Sequence, residues 1–474
     1  MENFWDFSVW GLFLLFAVLL FSLLLANFLK RTIPLLQKTL IPTSVLGGLL
    51  LLIISSLYEA FTGTPIFNTE IFGGNGISAL ETITYHALAF GFIAASLKIS
   101  DKKMSKKRSV EIFDSGVTTV ATYLLQAVLG LGITIIFALF VADFFVAAGV
   151  LLPFGFGQGT GQALNFGSIY ENLGFIGGKN FGLTIAALGF LSASIGGVFN
   201  LHLIKKKGKL TYKPLEGGGL TSDQIESNNE IPMNGSMDKL TVQFALIAIC
   251  YALSFAVMYG LGLILPGMKA TIFGFNFLFG AVFAIAVKAV LKLLNKKSVM
   301  KRQYTNNFLL TRISNFCFDI MIVAGIAAIR ISALKNYWLV LLILAVVGLV
   351  STYIYNKAVA KTLFPEYAEE QFMAMYGMLT GTASTGVMLL REIDGDFKTP
   401  AADNLVYQQF PAIAFGFPIM LLANLAPEQP YLTFVILVAF FIVMNIILFR
   451  SKIFKKKKAV LSAQAETAPT EDNA

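Results

Sequence analysis

The chain has 474 residues, of which 56% are hydrophobic and only 13% charged, about half the roughly 25% charged share of soluble proteins. This composition excludes an ordinary soluble enzyme, a disordered protein and a small disulfide-stapled domain. The formal charge of +9 must be located along the chain before it is interpreted, because lysine and arginine collect in the cytoplasmic loops of membrane proteins.

Long apolar segments recur along the whole chain. A helix needs about 20 apolar residues to cross the hydrocarbon core of a bilayer, and eleven segments meet this requirement. We therefore predict an all-α polytopic membrane protein. The predicted spans are 7–29, 42–61, 82–98, 113–141, 179–204, 239–265, 270–294, 309–330, 337–362, 405–425 and 430–450.

Two further apolar stretches, 144–171 and 367–393, are interrupted in the middle by Gly, Ser and Thr. Each is too short for two crossings and too broken for one. We expect each to be a re-entrant hairpin, which enters and leaves the membrane on the same side.

The distribution of basic residues favours this topology. With the N-terminus outside and both hairpins re-entrant, 32 of the 36 lysines and arginines lie on the cytoplasmic side. Counting 144–171 as a single crossing would turn Lys205 and the later lysine-rich loops outward, against the positive-inside rule. We therefore predict an N-out, C-in arrangement. The positive charge then reflects insertion into the lipid bilayer, and no nucleic-acid partner is expected.

An internal repeat accompanies this topology. Residues 93–100, IAASLKIS, resemble residues 326–332, IAAIRIS, once one residue is skipped. Each ends a span and precedes a long span and a hairpin, but Lys98 is predicted inside and Arg330 outside. The pattern predicts an inverted repeat of five transmembrane helices plus a hairpin each, an architecture of secondary transporters. The predicted units are 1–204, a cytoplasmic linker at 205–238, a second repeat at 239–425, an extra span at 426–450, and a basic, then disordered, cytoplasmic tail at 451–474.

The middle of each hairpin combines helix breakers with polar side chains. Non-helical backbone at membrane depth is tolerated only beside protein or water. Half-helices ending there would direct their N-terminal amides at an anion and expose oxygens suited to Na⁺. Alternatively, small residues simply let helices pack closely, which we favour for Gly47 and Gly48. The candidate binding residues are Gly157, Gln158, Gly159, Thr160, Gly161, Gln162 and Asn165 in the first hairpin and Thr380, Gly381, Thr382, Ser384 and Thr385 in the second.

Ionisable residues within spans are functional candidates because burying them in lipid is costly. Asp319 could ligate Na⁺ or carry a proton, or it could pair with Arg312. Arg391, after the second hairpin, could neutralise a substrate carboxylate or pair with Glu392 at the cytoplasmic end. The candidate Na⁺ ligands are Thr160, Thr380, Thr382 and Asp319.

Motifs of catalysis are missing from the sequence. Cys250 and Cys317 lie in apolar runs, and the chain has only two histidines. It contains neither a zinc-binding HExxH nor a nucleophilic GxSxG pattern. We expect a protein that is not an enzyme and has no organic cofactor.

Several of these motifs resemble those of the bacterial sodium/glutamate symporter family. Residues 41–48, IPTSVLGG, resemble its IPxxVxGG element, and residues 157–163 and 377–386 resemble its two hairpin tips. The resemblance covers most of residues 1–425, although Gln158 stands where better-known members have histidine. It implies Na⁺-coupled uptake of glutamate or a related acidic anion across the bacterial cytoplasmic membrane. It also implies a homodimer in which a mobile domain carries the hairpins in an elevator-like motion.

Two other classes of function stay open at this point. One is a cation/proton antiporter that uses Asp319. The other, which the sequence favours less, is a membrane-embedded enzyme or a structural protein.

Overall fold

The protein is built from α-helices. The computed structural model describes residues 3–99, 105–206, 230–231, 237–300, 302–394 and 398–452. Within these ranges no β-strand forms, and Glu230 and Gln303 make an isolated bridge. The predicted all-α class is thus confirmed. Most of the predicted linker and of the predicted tail lies outside the described residues.

Eighteen α-helices follow one another in the described ranges. They are α1 (Phe7–Thr32), α2 (Pro34–Lys38), α3 (Thr43–Thr62), α4 (Gly76–Leu97), α5 (Lys106–Ala138), α6 (Leu151–Phe156), α7 (Thr160–Asn172), α8 (Gly178–Lys206), α9 (Lys239–Ile264), α10 (Lys269–Gly274), α11 (Asn276–Lys296), α12 (Asn307–Ala327), α13 (Trp338–Leu363), α14 (Ala368–Leu379), α15 (Ala383–Arg391), α16 (Ala401–Tyr407), α17 (Gln409–Leu425) and α18 (Pro430–Leu448). Short 3₁₀ turns lie at Ile66–Asn68, Glu70–Phe72, Val146–Val150, Pro266–Met268, Ile331–Leu334 and Pro365–Tyr367.

Ten of the described helices are long and apolar enough to cross a membrane: α1, α3, α4, α5, α8, α9, α11, α12, α13 and α18. The pair α16 and α17 would make an eleventh span, bent by 51°. The sequence predicted one span here, at 405–425. Pro411, which follows the bend, has no backbone N–H to donate and its ring disfavours helix before it. The chain is a multi-pass membrane protein.

The outer surface of the helix assembly is apolar. On α1, for example, Phe21, Leu24 and Phe28 are each more than 60% exposed. Such contiguous apolar surface is rare on soluble proteins. Hydrocarbon chains of the lipid would cover it without cost.

The helices pack in two groups. In the first, which we call the α4–α12 group, α4 lies against α11 and α12, while α1, α3 and α9 pack around them. Ser314 of α12 donates to the carbonyl of Gly91 on α4 at 2.9 Å. In the second, the α5–α13 group, α5 packs against α13, α17 and α18, and α8 packs against α6, α7 and α13. The two broken segments belong to this second group.

Glycines within the spans allow close helix contacts. A Cβ atom on Gly48 would lie 2.8 Å from Cβ of Ile326, and one on Gly196 would lie 2.3 Å from the hydroxyl of Tyr376. The packing interpretation is therefore confirmed at Gly48, and Gly196 has the same role, since any side chain at either position would push the helices apart.

Candidate functional site

Each of the two predicted hairpins contains a helix break at its centre. Residues 157–159 separate α6 from α7, and residues 380–382 separate α14 from α15. Gly159 has φ +79° and ψ −169°, a combination that only glycine adopts readily. The clusters of Gly and Thr in the sequence thus mark the positions of both breaks.

Both broken segments fold back on themselves. The rings of Phe145 and Phe175, which flank the first segment, stack with centroids 4.8 Å apart. In the second segment, a Cβ atom on Gly377 would lie 2.8 Å from Cα of Gly386. The two ends of the first segment therefore lie side by side, and the two arms of the second are in close contact.

The two breaks meet inside the protein. A Cβ atom on Gly159 would lie 3.0 Å from Cγ2 of Thr382. Both breaks also contact one residue of α8: a Cβ atom on Gly189 would lie 2.7 Å from the carbonyl oxygen of Thr380 and 3.1 Å from Cα of Phe156. The fold thus brings the two sets of predicted tip residues together.

Two helices begin where the breaks meet. The N-terminal residues of α7 and α15 follow Gly159 and Thr382, and neither of these residues caps its helix with a side-chain hydrogen bond. The first amides of a helix have no partner within it, and the helix dipole makes this end positive. The junction of the breaks is therefore suited to an anion.

Gln162 lies in the first turn of α7 and is 1% exposed. Neither its Oε1 nor its Nε2 has a hydrogen-bond partner in the described part of the chain. An unsatisfied buried polar group costs about 1–3 kcal/mol, so Gln162 is a candidate to bind a ligand. Asn165, one turn further on, is already engaged, since its Nδ2 donates to the carbonyl of Gly274 at 3.0 Å. Gln158, in the break itself, is half-buried.

The start of α7 also contacts the α4–α12 group. Thr160 Oγ1 donates to the carbonyl of Met321 at 3.2 Å, and a Cβ atom on Gly325 would lie 2.6 Å from Cβ of Thr160. A Cβ atom on Gly161 would lie 2.8 Å from Leu88 of α4. The first break therefore lies at the boundary between the two helix groups.

The second break contributes hydroxyl oxygens. Thr380 Oγ1 donates to the carbonyl of Tyr376 at 2.6 Å, and the hydroxyls of Thr382 and Thr385 are 3.4 Å apart. A hydroxyl that donates its proton keeps lone pairs for a cation. The side chain of Ser384 lies outside the described part of the chain.

Asp319 and Arg391 lie away from the junction of the breaks. The carboxyl group of Asp319 lies close to Ser44, at the start of α3. Arg391 is exposed and is the last residue of α15. It therefore lies about 12 Å along the helix from the end that meets the first break. The structure does not bring either residue to the predicted tips.

Two residues of α5 hold the broken segments, and the sequence analysis did not single them out. The hydroxyl of Tyr123 donates to the carbonyl of Gly157 at 3.0 Å, and Nε2 of Gln126 donates to the carbonyl of Leu379 at 2.9 Å. Residues three apart share a helix face, so one face of α5 binds the C-terminal ends of both α6 and α14. A polar pair at this spacing within an apolar span was the signal that could have identified them.

Comparison with known proteins leaves the family open. No protein-family model matches the chain, and no curated protein matches it. A function is therefore inferred from the geometry of the two breaks and from the motifs at residues 41–48 and 157–163.

Proposed function

We propose that this chain is a secondary transporter that carries glutamate or a related small organic anion, driven by Na⁺. The observation that carries the proposal is the junction of the breaks, where the N-termini of α7 and α15 meet. The first turn of α7 also carries Gln162, whose buried amide has no partner among the described residues. Two positive helix ends attract a carboxylate. The amide of Gln162 can donate to the substrate or accept from it.

One set of ion pairs supports the prediction of which helix ends lie outside the membrane. Lys179 lies 2.8 Å from Glu81 and 3.7 Å from Glu171, and Arg330 lies 3.2 Å from Glu59. The topology predicts all five residues outside. Because Glu171 ends the first hairpin and Lys179 begins the next span, this network supports a first hairpin that returns to the outer side.

A second set of ion pairs supports the predicted cytoplasmic ends. Lys107, at the start of α5, lies 2.8 Å from Glu366, which precedes the second hairpin. Asp114 lies 2.6 Å from Arg450, beyond the end of α18. Lys107, Glu366 and Arg450 are predicted inside, and Asp114 lies at the cytoplasmic end of the predicted span 113–141. We therefore propose that the second hairpin enters from the cytoplasm, opposite to the first, as an inverted repeat requires.

The division into two helix groups suits an alternating-access mechanism. We propose that the α5–α13 group, with both hairpins and the bound substrate, moves against the α4–α12 group. The hydrogen bond from Thr160 to Met321 crosses the boundary between them, so this contact would break and re-form during the cycle. The membrane potential would add about 2.3 kcal/mol per net charge per 100 mV to the driving force.

The test is uptake of labelled glutamate and aspartate into proteoliposomes that contain the purified chain. We expect uptake to require an inward Na⁺ gradient, with choline replacing Na⁺ as the control. Uptake that is equal with and without the gradient would exclude Na⁺ coupling. Absence of uptake for a panel of small carboxylates would exclude the anion assignment.

A further inference from the structure

Two buried amide side chains in the middle of α5 and α13 have uncommitted oxygens. Oε1 of Gln126 and Oδ1 of Asn356 have no hydrogen-bond partner in the described ranges. Both residues are at most 1% exposed. Buried polar atoms are rarely left unpaired, because each loses its hydration without compensation. Two such atoms on packed helices make the contact between these helices a candidate ligand site.

The two amides belong to a reciprocal pair of hydrogen bonds. Nε2 of Gln126 donates to Oγ1 of Thr352 at 2.9 Å, and Nδ2 of Asn356 donates to Oγ1 of Thr122 at 3.4 Å. In each helix the threonine precedes the amide by four residues, so the two share a face. The threonine of each helix is bonded to the amide of the other helix, which lies four residues later in its own sequence. This pairing shows that α5 and α13 run antiparallel here.

Two similar short sequences supply the two sides of this contact. Residues 122–126 read TYLLQ and residues 352–356 read TYIYN. Each follows a segment of the predicted repeat, 93–100 or 326–332, at a similar distance. The two copies meet face to face, which makes this a paired site and not an isolated polar contact.

The orientation of both amides is fixed by chemistry. Nε2 of Gln126 also donates to the carbonyl of Leu379 at 2.9 Å, and Nδ2 of Asn356 to the carbonyl of Thr352 at 3.0 Å. A backbone carbonyl only accepts. Turning either amide over would place its own oxygen against that carbonyl oxygen. The amide nitrogens therefore make these bonds, and the atoms left without a partner are the oxygens.

These ligands suit a monovalent cation. Uncharged carbonyl and hydroxyl oxygens bind hard cations, whereas Ca²⁺ and Mg²⁺ sites are built largely from carboxylates. Leu379 is the last residue of α14, and the C-terminal end of a helix is negative. A cation beside Gln126 would therefore also be stabilised by the dipole of α14.

We propose that Na⁺ binds where α5 crosses α13, with Oε1 of Gln126 and Oδ1 of Asn356 among its ligands. This inference rests on the proposed function, in which Na⁺ is the coupling ion. Because Gln126 also holds the end of α14, bound Na⁺ would fix the second break in the position that receives the anion. The site differs from the hydroxyl ligands that the sequence predicts at the tips.

The test is thermal unfolding of the purified full chain in detergent, without any organic anion, as NaCl replaces choline chloride at constant ionic strength. A ligand that binds only the folded state raises the melting temperature in a saturable way. We expect this for the wild type. In Gln126→Met and Asn356→Leu, we expect the rise in melting temperature with Na⁺ to be lost or to need at least about tenfold more Na⁺ for half-saturation.

A control separates ligation from a general effect of removing a buried polar group. Thr433→Val, on α18, removes another buried oxygen that has no hydrogen-bond partner among the described residues. It should keep the Na⁺ response of the wild type, whatever its basal melting temperature. If the wild type shows no saturable response, or if both amide variants respond like the wild type, the site is excluded.

The uptake assay distinguishes this inference from the proposed function. Na⁺-dependent uptake together with an unchanged Na⁺ response in both amide variants would retain the transporter and place its ion elsewhere. Uptake indifferent to Na⁺, with a Na⁺ response that both amide variants lose, would retain the site and exclude Na⁺ as the coupling ion.

Discussion

Gly159 and Thr382, which belong to opposite halves of the sequence, are in direct contact inside the membrane protein. A Cβ atom on Gly159 would lie 3.0 Å from Cγ2 of Thr382. Each residue immediately precedes a helix, so the contact sets two positive helix ends side by side. Like ends repel in the absence of a counter-charge, and this repulsion is the physical reason to look for an anion here.

Substitution of Gly159 should abolish transport. Gly159→Val forces a β-branched side chain into a backbone conformation that costs such residues about 1–3 kcal/mol, and its methyl groups would displace Thr382. We expect uptake per folded molecule to fall to background. Gly260→Ala is the matched control, because a Cβ atom there has no neighbour within 4 Å among the described residues. It should keep uptake and stability. Normal uptake by Gly159→Val would show that the junction of the breaks is not the substrate site.

Substitution of Gln162 should separate stability from binding. Its amide has no partner among the described residues, so Gln162→Met removes an unsatisfied group and should leave the melting temperature unchanged or raise it. Substrate affinity should fall, by about 1–3 kcal/mol in binding free energy.

Asn165→Leu provides the opposite case. It deletes a formed hydrogen bond to Gly274 and should lower the melting temperature. A destabilised Gln162→Met protein with unchanged substrate affinity would indicate a structural amide. Melting curves and the concentration dependence of uptake measure both properties.

The topology predicts opposite accessibility for two exposed positions. Ile176, just after the first hairpin, is 83% exposed, and the side chain of Glu366, just before the second, is 70% exposed. The native thiols of Cys250 and Cys317 are buried and can be replaced by alanine. In that background, a membrane-impermeant maleimide should label Ile176→Cys from outside and Glu366→Cys only after the cells are opened. Labelling of both from the same side would exclude hairpins that enter from opposite sides.

The local sequence pattern was sufficient to predict where the long helices lie and where the two broken segments are interrupted. Runs of apolar residues gave the spans, and the Gly- and Thr-rich stretches marked residues 157–159 and 380–382, because backbone conformation there depends on the residues themselves. Pairings between distant segments could not be predicted in this way. The bond from Gln126 to Leu379 and the closeness of Asp319 to Ser44 depend on how the helices are arranged. Hydrophobic periodicity specifies which face of a helix is buried but not which helix covers it.

Asp319 provides the test of the proton-antiporter alternative. Asp319 and Met321 point about 200° apart around α12, and Met321 is the residue whose carbonyl binds Thr160 of the first break. The carboxyl group of Asp319 instead lies close to the hydroxyl of Ser44. An asparagine has nearly the same shape and keeps an oxygen or an amide for that hydroxyl.

We therefore expect Asp319→Asn to fold and to keep Na⁺-driven anion uptake, measured in proteoliposomes beside the wild type. Ser44→Ala removes the hydroxyl beside Asp319 and should lower stability by about 0.5–1.5 kcal/mol. A proton carrier has to ionise, and asparagine cannot. The opposite outcome would be a Na⁺-dependent proton flux that the wild type and Ser44→Ala show and Asp319→Asn lacks. In that case the protein exchanges cations for protons, and Asp319 carries the protons.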